Sequence, residues 1–295
     1  MNSRTRDGAL VEVYDGQGKF LRFLYEKPLG QQLMKLLIRP SVSKAAGWLL
    51  RTPLSRPAIG PFVKNNGIDL SEYLPARYRS FDEFFSREIR PEARRVDMDE
   101  RHLIAPCDAK LTAVNLGETG IFRVKGVAYT LESLLRDGEL AARYAGGTLL
   151  IFRLTVDDYH RYCHIASGTV TAPVRIPGVY HTVSPQGTAH AAVYRENTRE
   201  YVQLQTERFG TLLIMEVGAL LVGRIVNHPV SAPVRRGTEK GYFRFGGSSV
   251  LVLIPPGRVR LDADIVRNSE AGEETIVKMG EKIGTEQAEH GGAAL

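Results

Sequence analysis

Two short segments of this 295-residue chain carry side chains able to move protons or to attack a carbonyl. The first is Asp157-Asp158-Tyr159-His160-Arg161-Tyr162-Cys163-His164, directly after the apolar run Leu149 to Leu154. Histidine titrates near neutral pH, so a positioned pair such as His160 and His164 suits general acid–base chemistry. The i, i+4 spacing would also place both rings on one helix face, where Cys163 between them invites a zinc reading. The segment follows a strand and no partner motif completes four ligands, so metal is not expected. The second segment is Gly246-Gly247-Ser248-Ser249, set between two apolar stretches. Paired glycines adopt backbone angles closed to other residues and let another group approach the peptide closely. In isolation this reads equally as a bulge or hairpin turn followed by two polar edge residues. A third candidate, Asp108 in Ala105-Pro106-Cys107-Asp108-Ala109-Lys110, ordinarily would cap its turn. It gains a chemical role if the fold brings it to a histidine that it can orient and support.

The elements that must position these residues are of two kinds. From about residue 17 to 56, Phe20, Leu21, Phe23, Leu24, Leu33, Leu36, Leu37, Trp48, Leu49 and Leu50 recur at helical spacing. Eight basic residues lie between residues 19 and 56 against the single acid Glu26, and Pro28, Pro40 and Pro53 divide the segment into short helices. Such a basic amphipathic layer fits either a membrane interface or a helical layer packed on the main body with a solvated face. Ser80-Phe81-Asp82-Glu83 is a capping box opening a short helix, and a second helix is expected from Thr130. Beyond residue 100 strands dominate: Leu149 to Leu154, Thr169 to Val174, a hairpin turning at Arg208-Phe209-Gly210, and strand–turn–strand about Gly246-Gly247. A small polar tail follows from about Glu286. The expected class is α+β, with short N-terminal amphipathic helices packed on a β-rich body.

Composition narrows the partners. The chain is 43% hydrophobic and 24% charged, ordinary for a folded soluble protein, and its two cysteines supply no disulfide framework, which fits a reducing compartment. The net charge of +6 favours an anionic partner: nucleic acid, acidic lipid or acidic substrate. Thr211 to Val226 is the most apolar stretch, but Glu216, Gly218, Gly223 and Arg224 interrupt it, short of the roughly 20 apolar residues a span needs. The polar start also argues against a secretory signal.

In order along the chain, these segments resemble the phosphatidylserine decarboxylases. The resemblance covers most of the sequence: Phe81-Asp82-Glu83-Phe84-Phe85-Ser86-Arg87, Ala93-Arg94, Pro106-Cys107-Asp108, Asp158-Tyr159-His160-Arg161-Tyr162, Tyr180-His181-Thr182-Val183, Glu216-Val217-Gly218-Ala219 and Lys240-Gly241-Tyr242-Phe243-Arg244-Phe245-Gly246-Gly247-Ser248-Ser249. It implies a pyruvoyl-dependent, self-processing enzyme. Ser248 would attack the carbonyl of Gly247, cutting the chain into 1–247 and 248–295 and leaving Ser248 as the pyruvoyl group. That group would form a Schiff base with the serine headgroup and accept the electrons left by departing CO2. Phosphatidylethanolamine would result, with no metal, nucleotide or separate cofactor. Asp108 matches the charge-relay aspartate and His160 the first histidine of the family's His-x-x-His. The second falls on Cys163, with His164 one place on, so His164, His160 or Cys163 could act as the self-cleavage base; His164 is the first expectation, with His160 handling substrate or protons. Ser249 stands where a threonine is common.

Residues 1–75 then become a membrane-associating region and 76–295 the catalytic domain, its two chains staying together after cleavage. The location implied is the cytoplasmic face of the cell membrane, bound peripherally, with phosphatidylserine in an anionic surface as partner and no nucleic acid. Two rival classes remain at this level. A serine hydrolase using Asp108, a histidine and Ser248 would leave the chain whole. A pyruvoyl enzyme for a soluble amino acid or another serine lipid would not need the basic helices.

Overall fold

The computed structural model describes residues 2–12, 18–220, 224–230, 233–244 and 248–287. Gly246 and Gly247 lie outside the described residues, as does the tail beyond Gln287. The helices are α1 (Gly18–Glu26), α2 (Pro28–Leu37), α3 (Pro40–Leu50), α4 (Ile59–Asn65), α5 (Phe81–Phe85), α6 (Leu131–Leu135), α7 (Gly138–Ala142), α8 (Pro185–His190), α9 (Val193–Glu196) and α10 (Ala263–Glu270). The strands are β1 (Asn2–Arg4), β2 (Leu10–Glu12), β3 (His102–Ile104), β4 (Ala109–Asn115), β5 (Ile121–Val124), β6 (Val127–Thr130), β7 (Thr148–Leu154), β8 (Arg161–Cys163) and β9 (Thr169–Val170). They continue with β10 (Val174–Ile176), β11 (Arg199–Gln205), β12 (Thr211–Val217), β13 (Ile225–Asn227), β14 (Glu239–Phe243), β15 (Ser248–Ile254), β16 (Val259–Leu261), β17 (Glu274–Val277) and β18 (Lys282–Glu286). The class is α+β, as the sequence implies.

Local signals set the helices. Pro28 opens α2, Pro40 opens α3 and Pro53 opens a 3-10 turn, each where a missing backbone donor costs nothing. Gly30 permits the sharp α1–α2 turn, since a Cβ there would sit 2.0 Å from the Phe23 carbonyl oxygen. Ser80 accepts the Glu83 amide at the start of α5, while the Glu83 carboxylate reaches back to the amide of Arg79 rather than Ser80. Thr130 and Ser133 form the reciprocal box at α6. Leu21, Leu24, Tyr25 and Met34 anchor the first two helices to the body, leaving Leu29, Leu36, Trp48 and Leu54 exposed.

A ten-stranded sheet forms the body, ordered β10-β11-β12-β15-β7-β4-β17-β1-β2 with β9 beside β11. Alternating residues bury both faces. Leu150, Phe152, Leu154, Ile214, Val250 and Val252 enter one core, with Tyr162 and Phe243 from the small sheet β13-β14-β8 laid over it. Leu149, Ile151, Leu213, Met215, Leu251 and Leu253 enter the other, covered by α6, α7 and the β5–β6 hairpin. The β11–β12 hairpin pairs Gln205 with Thr211, as its turn predicts. Two expectations change. Residues 2–12, counted from sequence with the helical region 1–75, supply β1 and β2 to the large sheet, β1 running parallel to β17. The strands flanking Gly246-Gly247 are not a hairpin: β14 pairs with β13 and β8, while both edges of β15 are taken by β12 and β7.

Candidate active site

Ser248 is the first residue of β15, opposite Leu154 at the end of β7. Directly opposed residues share a face of the sheet, so Ser248 points with Leu154, Val250 and Val252 into the core beneath β8 and β14. Ser249 is turned the other way, opposite Arg153 and beside the Tyr194 phenol, without a well-formed hydrogen bond. Both hydroxyls are fully buried, and neither has a hydrogen-bond partner among the described residues. An orphaned buried hydroxyl forfeits about 1–3 kcal/mol, which a structural serine ordinarily avoids.

His160 is delivered to that end of the sheet from two sides. The turn after Leu154 is pinned by Asp158, whose carboxylate accepts from the Thr155 amide at 2.7 Å and from Lys110 Nζ at 2.7 and 2.8 Å. The Phe243 amide, from the strand that precedes Ser248 in sequence, donates to the His160 backbone carbonyl at 2.9 Å. His160 Nδ1 lies 2.9 Å from the Asp158 carbonyl oxygen, which can only accept. The proton therefore sits on Nδ1, and Nε2 keeps a lone pair. Nε2 is buried with no partner among the described residues. The Phe85 ring of α5 packs 4.1 Å from the imidazole centroid, and burial holds the His160 pKa down to about 4, Asp158 pulling the other way and Arg87 reinforcing the drop.

His164 is elsewhere. Its amide donates to Thr238 and its carbonyl accepts from Gly237, at the opposite end of the β8–β14 pairing from Phe243. The two histidines flank a strand rather than share a helix turn, so at about 3.3 Å per residue they stand roughly 13 Å apart along it. Burial, with Lys240 nearby, lowers His164 to about 4 as well. Cys163 directs its thiol toward the Ala105 carbonyl at 3.9 Å, and burial pushes it up to about 12, so it is protonated at neutral pH. Both cysteines are free, and no cluster of three metal-ligating side chains occurs among the described residues.

Asp108 immediately precedes β4, two strands from β15 or roughly 10 Å across the sheet. Its carboxylate accepts from Arg94 Nε at 2.8 Å, Arg94 Nη2 at 2.6 Å, the Met279 amide at 2.9 Å and Lys278 Nζ at 3.3 Å. Neither histidine is among its hydrogen-bond partners. Arg94 also binds Glu72, so Asp108 belongs to a buried charge chain. Sequence reasoning passed over several members of this environment: Arg94, Lys110, the Asp158 carboxylate, and the buried Lys240–Glu216 pair shared with Asn227. Arg94, Lys110, Glu216 and Lys240 each lie inside a segment already singled out, but only pairing across the sheets shows which charges meet. His181, assigned no role from sequence, lies 3.2 Å from the Tyr25 hydroxyl and ties α1 to the body.

A family model described as phosphatidylserine decarboxylase matches residues 81–285. The phosphatidylserine decarboxylase proenzyme 2 of Clostridium acetobutylicum is 44% identical over 265 residues, 90% of this chain and 91% of that protein. The phosphatidylserine decarboxylase proenzyme of Desulfitobacterium hafniense strain Y51 is 39% identical over 280 residues, 93% of this chain and 94% of the relative. That of Fusobacterium nucleatum is 38% identical over 283 residues, covering 94% of each. These relatives make the chain a carboxy-lyase formed as a proenzyme. This chain belongs to the phosphatidylserine decarboxylase family.

Proposed function

We propose that the chain cuts itself between Gly247 and Ser248 and then decarboxylates phosphatidylserine to phosphatidylethanolamine. One observation carries this reading: a buried, unpartnered Ser248 hydroxyl and a buried, unpartnered His160 Nε2 lone pair occupy the same end of the sheet. In the first step Ser248 Oγ bonds to the Gly247 carbonyl carbon while His160 Nε2 takes its proton. The Gly247–Ser248 amide bond breaks, the freed amine regains a proton, and an ester remains. Loss of the Ser248 Cα proton then expels the Gly247 carboxylate, and uptake of water with release of ammonia leaves a keto group at residue 248. That pyruvoyl carbonyl supplies an electrophile for a primary amine and a sink for the electrons freed with CO2.

The surrounding residues fit these tasks. His160 is neutral at physiological pH, so it can accept a proton without first losing one. The fixed charge of Asp108, held by Arg94 and the Met279 amide, is suited to steady a protonated histidine through the site rather than by direct contact. Cleavage would leave β15 seated between β12 and β7, and β17 between β4 and β1, which keeps the two chains together without a covalent link. Exposed Leu29, Trp48 and Leu54 among basic residues suit docking on an anionic bilayer, and no helix among the described residues is long and apolar enough to cross one.

Intact-mass measurement of the wild type beside Ser248→Ala tests the reading. The wild type should give a fragment ending at Gly247 and a small fragment with a blocked N-terminus, the variant one full-length species. A whole, unmodified wild type that still releases CO2 from phosphatidylserine refutes it.

A further inference from the structure

Among the described buried arginines, one lacks the partners the others have. Arg94 pairs with Asp108 and Glu72, Arg153 with Glu274, and Arg199 and Arg236 donate to main-chain carbonyls. Arg87 is 2% exposed, yet neither a carboxylate nor a carbonyl accepts from its guanidinium. Its Nη2 reaches only the Tyr73 hydroxyl at 3.0 Å, while Nε and Nη1 are buried with no partner. Arginine carries five N–H donors and is always charged, so four donors and the charge are left without an acceptor. The guanidinium is wedged between the Tyr73 ring at 4.2 Å and the Phe84 ring at 4.9 Å, which fixes it in place. Leaving a buried cation without a counter-ion is costly unless an anion arrives to complete it.

Its position names the anion. Arg87 follows α5 directly; that helix also carries Phe85, packed on His160, and Arg87 is near enough to His160 to help depress its imidazole. The other side of α5 packs against Leu50, Ile59, Phe62 and Val63. Leu50 ends α3, beside exposed Trp48, Leu49 and Leu54. Arg87 thus lies between the exposed apolar layer and the reacting end of the sheet. In a serine phospholipid the phosphodiester occupies the same intermediate place, between the acyl glycerol and the amine. We propose that Arg87 binds the phosphodiester of the lipid substrate while its headgroup reaches His160. The substrate's carboxylate is the poorer occupant: a cation on it would stabilise the ground state and oppose loss of CO2. The inference rests on the decarboxylase reading above.

Arg87→Met and Arg87→Lys test it, with dihexanoyl glycerophosphoethanolamine as the probe, since it carries the phosphodiester and no carboxylate. Arg87→Met should still process itself. Its KM for phosphatidylserine and the inhibition constant of the probe should rise together, by about 10- to 100-fold for a lost charge-assisted contact. Arg87→Lys should fall between it and the wild type. An unchanged inhibition constant overturns the proposal, and a raised KM beside it would assign Arg87 to the carboxylate. Should Arg87→Met fail to process, 31P relaxation of the probe titrated into Ser248→Ala and Ser248→Ala/Arg87→Lys precursors decides the matter. Weaker binding to the second supports the proposal, and equal binding overturns it. A wild type that stays whole would remove the decarboxylase reading while leaving that titration interpretable.

Discussion

His160 and His164 are the same residue type, four positions apart, with similarly depressed pKa values of about 4. What separates them is the company they keep. His160 has its proton fixed on Nδ1 by the Asp158 carbonyl and its Nε2 free at Ser248's end of the sheet, whereas His164 lies at the far end of the β8–β14 pairing. We therefore expect His160→Ala to slow self-cleavage by about 10²- to 10⁴-fold, the usual worth of a general base, and His164→Ala to leave it within a few fold. The reverse ranking, read on denaturing gels over time, would move the base to His164. The pH profile adds a sign. The base must be neutral, so its rate is lost as pH falls through the folded pKa. With that value near 4, cleavage at pH 5.5 should match pH 7.5. An unperturbed histidine, with a pKa of about 6.5, would lose roughly tenfold at pH 5.5.

At the scale of the element, strand alternation separates two residues that their types leave equivalent. Ser248 and Ser249 are equally serine, equally buried and equally unpartnered, but one strand step turns them to opposite faces. Ser249→Ala should process normally, with stability within about 1 kcal/mol of wild type because an unsatisfied hydroxyl is removed. Ser248→Ala should remain whole. A Ser249→Ala chain that stays uncut would put the reacting hydroxyl on the Tyr194 face. The same logic explains what was legible in advance. Pro28, Pro40, Pro53, Ser80 and Thr130 act through their own next few residues, so the short helices and their starts could be read directly. Leu149 to Leu154 and the β11–β12 hairpin were legible because an apolar run and a local turn sufficed. The partners of β14 and β15, the bond from Arg94 to Asp108, and the isolation of Arg87 depend on segments distant in sequence. No spacing rule reaches them. The i, i+4 pair carries a similar lesson: four positions bring two rings together only if the segment is helical, and β8 is a strand that holds them apart along its length.

The whole molecule sets a large sheet, where the proposed chemistry lies, beside a helical layer with exposed apolar side chains. Removing the first 56 residues would be a poor test of membrane docking, because β1 and β2 would leave the large sheet with them. Point changes on the exposed layer keep the fold intact. Trp48 is the sole tryptophan of the chain and is 63% exposed, so its emission reports this surface alone. On adding vesicles of phosphatidylserine and phosphatidylcholine in low salt, Trp48 emission should shift to the blue and strengthen as the indole enters the interface. Neutral phosphatidylcholine vesicles should give a much smaller change, and added salt should reverse the anionic response, since each basic residue near such a surface contributes about 1 kcal/mol that is screened within a Debye length. Leu29→Ser/Leu54→Ser should weaken the response while self-cleavage proceeds, because both side chains point away from the sheet, at 75% and 81% exposure. Emission that ignores anionic vesicles at low salt would mean that the basic helices face water, and that lipid reaches His160 by another face of the protein.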